Sequence, residues 1–292
     1  MKKLITLSLL VLFCLALMAT CFVGCNIVLN HNYKTTNHTV DAFEDINVDV
    51  DVAKVSIKKS ADARYGVVCY ETEDIFHDVF VENNELNIQS TATNNTINLD
   101  FVLKTLSVTI YLSEDHYGNL KIHTDTGMVT IDSGLTFDSI DIDTDTGAIS
   151  CLADTNGLLD INSDTGAISI ENVTKASAIN VDCSTGLVSL NDVKCANLNV
   201  ESDTGAINAK NVECTNASID VDTGKVALTN FKTAILVAST NTGDVSLNNV
   251  EILGAITIMS DTGNIHGSLR LADNVVSKIK TDTGNVSVQY ID

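Results

Sequence analysis

The sequence predicts an all-β protein whose main body is a right-handed parallel β-helix, a solenoid of about nine rungs of 19–21 residues behind an N-terminal β-rich cap. Three observations carry this. The chain has no Pro and no Trp, only 5% aromatic residues, and is dominated by Val, Ile, Thr, Asn and Asp, the residues of strands and tight turns. A Thr-Gly dipeptide recurs nine times, at Gly127, Gly147, Gly166, Gly186, Gly205, Gly224, Gly243, Gly263 and Gly284, at intervals of 20, 19, 20, 19, 19, 19, 20 and 21 residues. Two residues after each glycine stands Val or Ile, followed by apolar/polar alternation.

Each repeat divides in the same way. The β-branched residue (Val129, Ile149, Ile168, Val188, Ile207, Val226, Val245, Ile265, Val286) opens a short strand with one buried face. A turn such as Asn172-Val173, Asp192-Val193 or Asn211-Val212 follows, and a second alternating stretch leads to the next Thr-Gly. About 19.5 residues is too short for a helix-plus-strand repeat and suits one rung of a parallel β-helix. Stacked at roughly 4.8 Å, nine rungs give a rod about 40 Å long, with the β-branched residues as an interior ladder. The right hand is that of parallel crossovers in general.

The segment before each glycine raises a chemical question. Asp-Thr-Gly resembles the active-site loop of an aspartic protease, in which two aspartates share a proton. Here the aspartate occurs in seven copies (Asp125, Asp145, Asp164, Asp203, Asp222, Asp261, Asp282), with Ser184 and Asn241 in the other two. Seven aspartates spread along a rod cannot meet in one cleft, and Ser or Asn would damage proton transfer. Both keep an oxygen able to accept a turn N–H. The expectation is a structural corner: Asp, Asn or Ser caps the turn, glycine supplies positive φ, and Thr stacks on Thr. Adjacent carboxylates at roughly 4.8 Å repel by about 0.9 kcal/mol in water, which charge-assisted bonds of about 1.5–3 kcal/mol can offset. No metal is needed, although calcium at the acidic column stays an alternative; the Gly-Gly-x-Gly-x-Asp pattern of calcium-binding β-rolls is lacking.

The N-terminus has a different character. Lys2 and Lys3 precede an apolar run from Leu4 to Gly24, ending in Phe22-Val23-Gly24-Cys25. This reads as a signal peptide over 1–24 with a lipobox-like end, Cys25 being lipidated as the mature N-terminus. Cys21 is a weaker second candidate, and an uncleaved transmembrane anchor is the alternative. Residues 25–39 then form a polar, lipid-anchored tether, 40–118 the N-terminal β cap region, and 119–292 the β-helix. The cap region reads as short strands with a hairpin turn at Asn83-Asn84. The C-terminal "GNVSVQYID" shows no cap, which leaves end-to-end self-association open.

Charge and side-chain inventory exclude several functions. Without Lys2 and Lys3 the mature chain has 15 basic against 38 acidic residues, a net charge near −23, which argues against nucleic acid and anionic lipid headgroups. Five cysteines remain beyond Cys25 (Cys69, Cys151, Cys183, Cys195, Cys214), an odd number without a CxxC pair, so neither a zinc site nor a full disulfide framework is indicated. Cys195 and Cys214 both lie nine residues after their glycine and should be neighbours. A disulfide is conceivable there, though small core residues are the preferred reading. The six histidines show no metal-ligand spacing, and beyond residue 119 only Phe137, Phe231 and Tyr290 could offer an aromatic platform for a glycan. No cofactor, metal or catalytic residue is assigned.

The ordered succession "FEDINVDVDVAKVSI", "VFVENNELNI", "SVTIYLSEDHYGNLKIHTDTGMVTI" and repeated "DTGAISI" resembles the bacterial putative-adhesin family of β-strand-repeat domains, related to Lia-type cell-envelope stress proteins, over roughly residues 40–292. The resemblance implies a β-helical, non-enzymatic, cell-surface role and supplies no ligand. The functional expectation is a non-catalytic cell-surface lipoprotein, adhesin-like or scaffold, held extracytoplasmically on the bacterial membrane by its lipid and facing an envelope or extracellular protein or glycan. The alternatives are an accessory of an envelope stress response binding a membrane sensor and, last, a hydrolase.

Overall fold

The computed structural model describes residues 32–61, 66–92 and 105–291. The expected signal peptide, Cys25 and the first part of the tether lie outside them. Among the described residues the chain is all-β, without a helix, and winds as a solenoid of about nine turns. No helix there is long and apolar enough to cross a membrane.

Seven strands precede the repeats: β1 (Lys34–His38), β2 (Asp45–Val52), β3 (Lys54–Lys59), β4 (Gly66–Glu71), β5 (Ile75–Glu82), β6 (Glu85–Ala92) and β7 (Ser107–Leu112). The repeats supply β8 (His116–Thr126), β9 (Val129–Ile131), β10 (Thr136–Thr146), β11 (Ile149–Cys151), β12 (Asp154–Thr155), β13 (Leu158–Thr165) and β14 (Ile168–Glu171). They continue with β15 (Ala176–Thr223), β16 (Val226–Thr242), β17 (Val245–Thr262), β18 (Ile265–Leu271), β19 (Val276–Thr283) and β20 (Val286–Tyr290). The 48 residues of β15 stay extended around several corners.

Successive repeats pair in parallel and in register. Val129 faces Ile149, which faces Ile168, which faces Val188. Farther on, Ile207, Val226, Val245 and Ile265 align in the same way. All eight are at most 1% exposed. The last member, Val286, is 48% exposed, because β20 has a neighbouring rung on only one side among the described residues. Burying each Val or Ile contributes about 1.5–3 kcal/mol, and only the stack makes that burial available.

The stack also reaches into the region read as a cap. β2 pairs in parallel with β8, and β3 with β9, so residues 45–59 are a rung without the Thr-Gly motif. β6 and β7 then pair in parallel with β2 and β3 on the other side. The chain thus lays one rung, builds the next outward from it, and returns at β8 to continue the solenoid. Antiparallel strands close that end: β5 on β6 through the Asn83-Asn84 hairpin, β4 on β7, and β1 on β4. Both turn asparagines have left-handed φ, 52° and 70°, as a two-residue hairpin requires. A parallel edge is thereby blunted.

Candidate functional site

The nine Thr-Gly dipeptides form one corner of the solenoid, with Thr126, Thr146, Thr165 and Thr185 in register, and Thr223, Thr242, Thr262 and Thr283 likewise. The glycine N–H continues the ladder across the bend: Gly127, Gly147 and Gly166 donate to the carbonyls of Thr146, Thr165 and Thr185 at 2.9–3.0 Å.

The reason for glycine differs from the sequence expectation. φ is positive at Gly205, Gly224, Gly243, Gly263 and Gly284, at 145° to 158°, but not at Gly127, Gly147, Gly166 or Gly186. What all nine share is proximity. A Cβ on Gly147 would lie 1.7 Å from the carbonyl oxygen of Gly127, and one on Gly166 would lie 1.7 Å from that of Gly147. The same clash, 1.4–2.0 Å, recurs from Gly186 to Gly284. Even Gly127 meets it, at 1.9 Å, against Ala53 of the motif-less rung. Glycine is demanded by the rung beneath.

Left-handed backbone belongs to a second corner, six residues on. Asn172, Asp192, Asn211, Asn230 and Asn249 have φ of 50° to 60°, a conformation Asn and Asp tolerate best among side-chain-bearing residues. Their amides form a ladder: Asn211 donates to Asp192, Asn230 to Asn211 and Asn249 to Asn230, each at 2.9 Å.

The aspartates before Thr-Gly also depart from expectation. Asp125, Asp145, Asp164, Asp203, Asp222, Asp261 and Asp282 are exposed, as is Asn241, while Ser184 is half-buried. Their contacts are side-chain ones: Asn241 Nδ2 donates to Asp222 at 2.9 Å, Lys280 Nζ to Asp282 at 3.0 Å, and His123 Nε2 lies 3.4 Å from Asp125. Among the described residues no turn N–H donates to these carboxylates. At four of the nine corners a polar contact comes instead from the residue just before this position, which points inward, whereas the hydroxyls of Thr124 and Ser202 are buried without a partner and Val221 is apolar. Thr240, Ser260 and Thr281 donate their hydroxyls to the carbonyls of Gly224, Gly243 and Gly263 at 2.8–3.1 Å, and the Cys183 thiol reaches that of Gly166 at 3.6 Å. The carboxylates that do accept backbone N–H groups lie elsewhere. Asp45 accepts from Asn119, Asp154 from Thr174 and Lys175, and Asp244 from Asn264, which holds Asp244 below the usual aspartate range.

Freed from capping, the corner carboxylates join a charged face. The strand before each corner turns outward the residues four and six before glycine, including Asp141, Asp143, Asp160, Asp182, Glu201 and Asp220. Burial and Asp141 raise Asp160; burial, then Glu201, Asp203 and Asp164, raises Asp182. The side chains of Asp49, His123, Asp141 and Asp143 line a shallow groove of about 430 Å³ on this face. His123 Nδ1 stands 3.5 Å from Asp143, and Lys121 stands 3.7 Å from Asp141. The same positions hold Lys121 and His123 at the first Thr-Gly repeat and Lys278 and Lys280 at the last, so the acidic stretch is flanked by basic residues at both ends of the repeat array.

The groups that sequence reasoning considered for chemistry are dispersed. Cys195 and Cys214 are neighbouring free thiols; their hydrogen bond pushes Cys195 up, and burial adds to the effect. Burial pushes Cys69 and Cys151 up to about 12, so both are protonated thiols at neutral pH while nothing is bound to them. No pair of corner aspartates is enclosed in the manner of a proton-sharing dyad.

Comparison with known proteins agrees with this architecture. A solved structure described as a putative adhesin from Parabacteroides distasonis superposes with a TM-score of 0.52 at 14% identity, covering 89% of this chain and 98% of the other. Another, described as a putative adhesin from Parabacteroides merdae, gives 0.50 at 13% identity, covering 90% and 98%. At such identities the likeness concerns the fold. Comparison with curated proteins returned no significant match. The family model for Toastrack DUF4097 matches residues 43–174 and 153–292, nearly all of the described chain, and the protein belongs to that family of β-repeat domains.

Proposed function

We propose that this protein is a non-catalytic, lipid-anchored module of the bacterial cell surface, whose solenoid presents a rigid, adhesin-like face to an envelope or extracellular partner. The observation that carries this reading is the in-register ladder: it fixes rows of outward side chains on a stiff scaffold and spends its repeated motif on the corner. Cys25, at the end of the apolar N-terminal run, is the proposed lipid attachment site, and the tether after it would set the rod off from the membrane. The solved structures described as putative adhesins lend the reading support through their shared fold.

A deletion strain complemented with wild type or with Cys25→Ala tests it. Surface attachment should fall on deletion and return with wild type, whereas Cys25→Ala should release the protein into the medium without restoring attachment. Unchanged attachment in the deletion strain would overturn the adhesin reading. An altered response to envelope antibiotics in that strain would favour the stress-accessory role instead.

A further inference from the structure

We propose that Cys69, Glu71 and His77 form a binding site for a divalent transition-metal ion of the zinc type, buried in the strands that close the first end of the solenoid. Cys69 and Glu71 stand two residues apart on β4, so their side chains share one face. The chain then turns at Thr72, whose hydroxyl accepts from the Ile75 N–H at 2.9 Å, and β5 brings His77 back over Glu71. One ligand atom from each of the three lies within 4.8 Å of the others, with Nδ1 of His77 3.3 Å from Glu71 Oε2. The residues are 0%, 2% and 3% exposed.

A buried carboxylate, imidazole and thiol together are costly unless something binds them. Glu71 is held in place: Thr36 Oγ1 donates to it at 2.5 Å, the His77 N–H donates at 2.9 Å, and Lys34 Nζ stands 3.5 Å away. His77 Nε2, by contrast, is buried without a partner, and so is Nε2 of His38, on the strand paired with β4. Zinc bonds of about 2.0–2.3 Å place tetrahedral ligands roughly 3.3–3.8 Å apart, so an adjustment on the order of 1 Å would complete the set. Thiolate with imidazole and carboxylate selects zinc-like ions over the oxygen-seeking Ca²⁺ and Mg²⁺. On binding, the Cys69 thiol would release its proton to solvent, and the ion would tie β4 to β5 where the parallel ladder is closed. The sequence hides this set, because its members carry no metal-motif spacing and are gathered by the antiparallel strands.

The test uses the full protein, stripped with chelator and titrated with Co²⁺. One equivalent should bind with a thiolate-to-cobalt charge-transfer band and the d–d absorption of cobalt held by these three side chains and one water, and Zn²⁺ should abolish both. Cys69→Ser should lose the charge-transfer band and His77→Ala the stoichiometric binding, while Cys195→Ser/Cys214→Ser should retain both signals. Should Cys69→Ser fold poorly, X-ray absorption at the zinc edge of the wild-type complex, which detects a sulfur ligand at about 2.3 Å, replaces it. Absence of a stoichiometric cobalt signal, its persistence in a folded Cys69→Ser variant, its loss in the Cys195/Cys214 variant, or a zinc shell without sulfur would each overturn the proposal.

Discussion

Replacing Gly166 by Ala separates two explanations of the repeated glycine. Gly166 does not have positive φ, so a purely conformational requirement would leave Gly166→Ala harmless. Space decides otherwise. The new Cβ would stand 1.7 Å from the Gly147 carbonyl oxygen and 2.6 Å from its carbon. Ordinary contact begins near 3.4 Å, so the two rungs must part locally by about 1.7 Å. That breaks the ladder bonds beside the corner, Gly147 N–H to Thr165 at 2.9 Å and Ile149 N–H to Ala167 at 2.8 Å. Two lost bonds at about 1 kcal/mol each, with incomplete solvation of the freed groups, cost about 2–5 kcal/mol. Urea unfolding should show a fall in midpoint of about 1 M or more, and hydrogen exchange should accelerate at the neighbouring rungs. Gly134→Ala is the control: φ there is +79° and nothing lies within 4 Å of the added Cβ, so only backbone strain of about 1–2 kcal/mol applies. A Gly166→Ala variant no less stable than Gly134→Ala would refute the steric reasoning.

Three further outcomes are expected. Asn230→Ala, which meets φ of 50° and removes two rungs of the amide ladder, should cost about 1–3 kcal/mol in thermal or chemical unfolding, whereas Asn230→Gly should recover much of the loss. Asp182→Asn should stabilise the protein at neutral pH by less than about 1 kcal/mol, since the carboxylate is exposed and screened. Because folding raises the Asp182 pKa, the wild-type penalty grows as pH rises through the folded value and vanishes below the ordinary aspartate range, so the two unfolding curves should converge in acid. Mild oxidation should cross-link Cys195 to Cys214 ahead of any other pair, detected as selective loss of alkylation at those two cysteines.

What the sequence disclosed depended on whether a constraint was local or stacked. The period, the β-branched ladder from Val129 to Ile265 and the Asn83-Asn84 hairpin were legible, because spacing, alternation and turn chemistry all write themselves along the chain. The role of the glycines was not, since the atom that forbids a Cβ belongs to a residue about 19 positions earlier. Nor were the inward hydroxyls of Thr240, Ser260 and Thr281, which look like ordinary polar alternation until the carbonyls of Gly224, Gly243 and Gly263 are placed beside them. The rung at 45–59 escaped notice because Ala53 stands where later rungs carry glycine and because its neighbour, β6–β7, comes after it in the chain. Cys69, Glu71 and His77 meet only through antiparallel pairing that no periodicity announces.

The most direct measurement replaces all seven corner aspartates, Asp125, Asp145, Asp164, Asp203, Asp222, Asp261 and Asp282, by Ala, which unlike Asn leaves no oxygen to accept a turn N–H, and follows unfolding. If the corner is built by glycine spacing, the variant should fold with an unchanged β-rich spectrum and a midpoint equal to or above wild type, relieved of carboxylate repulsion. Failure to fold, or a loss exceeding about 1 kcal/mol per replaced aspartate, would show that the carboxylates cap the turns after all and would contradict the account.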